Sequence, residues 1–83
     1  MNLRYFTFHL TVGGKRRNAS LDLEMAEYLA RHLKLDKLER TSIRLWAQNA
    51  IDSWRAFDPE LPLSAQIRKL ALREIVRAEL LDK

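Results

Sequence analysis

Cysteine is absent from all 83 residues, which excludes disulfides and thiolate metal sites and suits a reducing compartment. Glycine occurs only as the adjacent pair Gly13-Gly14, and proline only as Pro59 and Pro62, so strong chain-breaking signals fall at two places. Acidic residues are missing from positions 1 to 20, a stretch that holds Arg4, Lys15, Arg16 and Arg17. No apolar run approaches membrane-spanning length. The start, Met-Asn-Leu-Arg-Tyr-Phe, lacks the continuous apolar segment and small-residue cleavage site of a signal peptide. The expectation is a soluble, cytoplasmic protein with no membrane partner. Its length allows one small domain, 1–83, and no repeat, low-complexity tract or linker divides it.

The chain is organised around Lys15 to Met25, where a basic strand runs into a helix. From Tyr5 to Val12 apolar and polar residues alternate, with Phe6, Phe8, Leu10 and Val12 on one face and Tyr5, Thr7, His9 and Thr11 on the other. Gly13-Gly14 permits the positive φ angles of a two-residue hairpin turn. Closing that turn pairs Val12 with Lys15, Leu10 with Arg17, Phe8 with Ala19 and Phe6 with Leu21. The same register groups Thr11 with Arg16, His9 with Asn18 and Thr7 with Ser20, so two independent patterns agree on a hairpin over 3–21.

Helical spacing predicts three further segments, at about 22–35, 42–57 and 64–81. Asp22 is placed to cap the first, which carries Met25, Ala26, Leu29 and Leu33 on one side and has no glycine stop. Thr41 and Ser42 are candidate N-caps of the second, whose stripe of Ile43, Trp46, Ala47, Ala50, Ile51, Trp54 and Phe57 is the strongest core signal in the chain. The two tryptophans have a base-stacking chemistry, but their spacing favours a core role. Pro59 and Pro62 end that helix, and Ser64 opens the last. On it Leu63, Ile67, Leu70, Ala71, Ile75, Ala78 and Leu81 form one apolar side, Leu72, Val76 and Leu80 another. Glu74, inside the main stripe, calls for an Arg partner or a place at the rim. The expected fold is α+β, mostly α, with an N-terminal β-hairpin followed by three or more helices. Phe6, Phe8, Leu21, Leu29, Ile43, Trp46, Ala50 and Trp54 are its core or dimer contacts, because the last two helices present more apolar surface than so small a fold buries alone.

Functionally, Arg16, Asn18 and Ser20 place a guanidinium, a carboxamide and a hydroxyl on one strand face. Such groups hydrogen-bond to base edges, and a two-stranded ribbon fits the major groove of DNA. The bland alternative is a solvated hairpin face. Clustered cations that displace counterions from phosphates favour an anionic partner. His9 and His32 have no metal-ligand spacing, the carboxylates are scattered, and Gly13-Gly14 is not followed by Lys-Ser/Thr at Walker spacing. Nothing here points to an enzyme, a metal or a cofactor.

The order strand, helix, helix over roughly Arg16 to Trp54, with polar residues alternating along the strand, resembles the ribbon-helix-helix family of DNA-binding proteins, that of the Arc and MetJ repressors. The resemblance implies an intertwined homodimer whose paired strands enter the major groove, with Arg16, Asn18 and Ser20 contacting bases. It further implies that the second helix start holds a backbone phosphate through free amides near Thr41 and Ser42, assisted by Arg40, Arg44 and Lys15. The implied role is a small transcriptional repressor or regulator. The alternative is a protein-interaction module or antitoxin-like adaptor that uses the C-terminal helix to hold another protein. Arg17 stands where the family usually has an apolar residue, and the leading strand is an addition. If that strand occupies the edge needed for dimer pairing, the polar face combines Tyr5, Thr7 and His9 with Arg16, Asn18 and Ser20.

Overall fold

The computed structural model describes residues 4–81 and is an α+β fold, an antiparallel hairpin followed by three helices. Strands β1 (Tyr5–Val12) and β2 (Lys15–Asp22) pair with Val12 opposite Lys15, His9 opposite Asn18 and Phe6 opposite Leu21, as the alternation requires. Both turn glycines have positive φ, 59° at Gly13 and 78° at Gly14, the combination that matches the turn to the right-handed strand twist. Leu3, the expected first strand residue, lies outside the described residues.

Phe6, Phe8, Leu10, Val12, Ala19 and Leu21 turn one face of the ribbon into the floor of a single core. Over that floor lie α1 (Leu23–His32), α2 (Arg40–Asp52) and α3 (Leu63–Leu81). Helix α2 runs along β1, α3 along β2, and α1 packs against α3. The helices bury Ala26, Leu29 and Ala30, then Ile43, Ala47 and Ile51, then Leu63, Ile67, Leu70 and Ala71. Arg17 shares the apolar face yet is only half-buried, because its guanidinium reaches out to donate to the Pro59 carbonyl at 2.9 Å. One continuous core lies between the ribbon and the helices, and β2 pairs with β1.

Three helix ends differ from expectation. Helix α1 stops at His32, not near Leu35: Lys34 adopts φ 62°, and the Lys34 and Leu35 amides donate to the carbonyls of Arg31 and Ala30, the Schellman pattern. A lysine holds the left-handed position that glycine fills at less steric cost, so Lys34→Gly is expected to raise stability by up to about 1 kcal/mol, read as a higher urea midpoint. Helix α2 starts at Arg40, with Glu39 as N-cap, and ends at Asp52, not Phe57. There the Ser53 hydroxyl and amide both donate to the Asn49 carbonyl, and Trp54 closes a tighter turn onto Ile51, so the chain leaves the helix. Asp22 occupies the N-cap of α1 but makes no side-chain cap bond; its carboxylate instead lies 3.6 Å from Arg68 on α3.

The row buried from α2 is Ile43, Ala47 and Ile51, while Trp46, Ala50 and Trp54 are only half-buried. Gln66, a polar residue on the inner side of α3, is buried and fully engaged: its carbonyl accepts from the Asp58 amide and its NH₂ donates to the Asp58 carbonyl, tying the proline loop to α3. No helix among the described residues is long and apolar enough to cross a membrane.

Candidate nucleic-acid interface

Opposite the core, the ribbon presents Tyr5, Thr7, His9, Thr11, Arg16 and Asn18, all exposed, and Ser20, half-buried. Strand alternation puts them on one face because their inward neighbours are claimed by the core. In this register Arg16 and His9 are diagonal neighbours, and an Nη2 of Arg16 lies 3.3 Å from Nδ1 of His9. Arg16 can only donate, so Nδ1 accepts. The contact braces the arginine over the exposed polar face of the ribbon.

The backbone at the two ribbon edges is treated differently. On β1 the Thr11 amide donates to Gln48 Oε1 at 2.9 Å, while Gln48 Nε2 donates to the Thr11 carbonyl at 3.0 Å. One carboxamide thus mimics a neighbouring strand. Further along, Arg40 Nε donates to the Thr7 carbonyl at 2.8 Å, and its guanidinium lies 5.4 Å from the centre of the Phe6 ring. On β2 the Ser20 amide donates to Ser64 Oγ at 2.9 Å. The outward amide and carbonyl of Asn18 have no protein partner among the described residues.

Thr7 and Ser20 face each other across the ribbon. Through Arg40 and Ser64, the start of α2 meets β1 and the start of α3 meets β2 at the same level of the hairpin. A helix start carries unpaired amides and a partial positive charge, and two such starts lie beside this level of the ribbon. A hollow of about 420 Å³ lies there, bounded by Thr7, His9, Asn18, Ala19, Ser20 and Ser64.

The sequence-predicted residues are thus brought together in part. Arg16 and Asn18 share the exposed face, Lys15 stands at the turn, and Arg40, Thr41 and Arg44 are exposed at the start of α2. Ser20 is partly covered, its hydroxyl 3.3 Å from that of Ser64. Ser42 is half-buried and donates to the Glu39 carboxylate at 3.1 Å, so its hydroxyl is engaged with an acid rather than turned outward. Sequence reasoning missed Ser64, Gln48 and the bracing of Arg16 by His9. Only the last had a signal, the diagonal spacing that the hairpin register creates. Comparison of the chain with family models, with curated proteins and with solved structures finds no match.

Proposed function

We propose that the protein binds double-stranded DNA by placing the polar face of its own hairpin in the major groove, and that it acts as a small transcription regulator. The observation that carries this reading is the exposed ribbon face itself: Arg16 is braced on His9, Asn18 stands beside them, and the one acid on that face, Asp22, lies at its far end against Arg68. Two paired strands are narrow enough for a groove about 12 Å wide. Arg16 offers a fork for guanine, and Asn18 a carboxamide for adenine. With Ser20 half-covered, Thr7, His9 and Thr11 of β1 complete the reading set, and Lys15, Arg40 and Arg44 supply phosphate contacts. The flanking starts of α2 and α3 suit the two groove walls, where backbone amides near Thr41 and Ser64 meet phosphate. The ribbon-helix-helix resemblance is kept in its chemistry, with the ribbon made inside one chain.

Selection from a random duplex pool, followed by affinity measurements at several salt concentrations, tests this. Three phosphate contacts predict a slope of log K against log salt of about −3, together with a preferred sequence. Binding that ignores salt, or that never exceeds the affinity for random duplex, removes the proposal.

A further inference from the structure

An open trough of about 920 Å³ runs between α2 and the outer part of α3, on the side of the molecule built from helices. Its floor is apolar: Trp46, Ala50 and Trp54 on one side, Leu72 and Val76 on the other. Leu72 and Val76 are 46% and 52% exposed, and the tryptophans are half-buried, so considerable apolar surface remains uncovered. Helix α3 has 19 residues and is about 28 Å long, and among its side chains described up to Arg77 the last fully buried one is Ala71. From Leu72 to Arg77 the helix stands beside the core rather than over it.

The rim has a sign. Arg73 and Arg77 line the trough, and the Lys69 ammonium sits 5.8 Å from the centre of the Trp54 ring. Against these three cations the lining holds one acid, Glu74. A second copy is a poor occupant, because a two-fold contact sets the same patch against itself and would bring two such basic rims together. Nucleic acid suits the rim but not the floor, which offers phosphate nothing. An apolar stripe bordered by carboxylates matches both, and on a helix that stripe recurs at i, i+3, i+4 and i+7.

We propose that this trough docks an acidic amphipathic helix of a partner protein, whose apolar side chains settle between the two tryptophans and the Leu72–Val76 edge while its carboxylates pair with Arg73, Arg77 and Lys69. The proposal is independent of duplex binding, which uses the opposite, polar face of the ribbon.

Trp46 and Trp54 are the only tryptophans in the chain, so selectively excited tryptophan fluorescence of the full protein reports on this trough. The probe is a synthetic peptide of roughly 18 residues with leucine at helical spacing and glutamate elsewhere, compared with its lysine counterpart and with a scrambled glutamate peptide that has no stripe. A saturable blue shift is expected with the striped glutamate peptide, with at least about tenfold weaker binding of the other two. In an Arg73→Glu, Arg77→Glu variant shown to be folded by circular dichroism, the preference should invert toward the lysine peptide. Equal binding of glutamate and lysine peptides, or unmoved emission at about millimolar peptide, overturns the proposal. So does displacement of the peptide by duplex DNA, or sedimentation showing a dimer whose tryptophans are already shielded from a soluble quencher.

Discussion

Phe8→Ala is expected to lower the unfolding free energy by about 3–5 kcal/mol, read as a fall in urea midpoint with little change in slope. Phe8 is 2% exposed at the centre of the inner ribbon face, its ring centre 6.1 Å from that of Phe6. The residue across the hairpin is Ala19, too small to collapse into the space that the ring would leave. A domain of this size has a total stability of roughly 4–12 kcal/mol, so the variant stands close to unfolding at ambient temperature. Trp46→Ala makes the contrast. Half-buried at a trough, Trp46 should cost only about 1–2 kcal/mol, within the ordinary range for single substitutions. Equal losses at the two positions would mean that the core is centred on α2 rather than on the ribbon.

The second large effect concerns binding. An Arg16→Ala, Asn18→Ala variant is expected to lose about 2–6 kcal/mol of affinity for a preferred duplex, at about 1–3 kcal/mol for each base-reading contact, and to relax selection at particular base positions. Both side chains are exposed, so stability should change by less than about 0.5 kcal/mol and the loss is attributable to recognition. Lys15→Ala should instead weaken binding to all sequences alike and make the salt slope shallower by about one. If the double variant keeps both affinity and preference, Arg16 and Asn18 do not read bases, and Thr7 and His9 on β1 are next.

How far the sequence discloses this architecture depends on the range of the forces involved. The hairpin register was fully legible because a turn with two glycines and two alternating faces all demand one pairing. Helix ends were less so. Lys34 gives no sign in its residue type that it will take a left-handed conformation, and Ser53 stops α2 through a bond that a helix-interior serine can also make. Asp22 reads as a cap until α3 brings Arg68 beside it. The broad stripe of α2 was visible, but which part of it would be buried depends on the angle at which α2 meets β1. Ile43, Ala47 and Ile51 face the ribbon, and Trp46, Ala50 and Trp54 are left toward the trough. Of the candidate site, period two was enough to collect Arg16 and Asn18 on one face. The contacts of Gln48 and Ser64 span 37 and 44 residues, and no local pattern announces them.

Those edge contacts also bear on how this protein avoids polymerising. A two-stranded ribbon offers unpaired backbone along both sides, an invitation to endless strand addition. Along β1 the invitation is obstructed by Gln48, which occupies the Thr11 amide and carbonyl, and by Arg40, which occupies the Thr7 carbonyl. Along β2, Ser64 occupies the Ser20 amide, which leaves the outward backbone of Arg16 and Asn18 open among the described residues. That stretch carries Lys15, Arg16 and Arg17, so a second β2 laid parallel and in register would meet cation against cation. Exchanging these basic residues for neutral side chains is therefore expected to make strand addition at this edge easier.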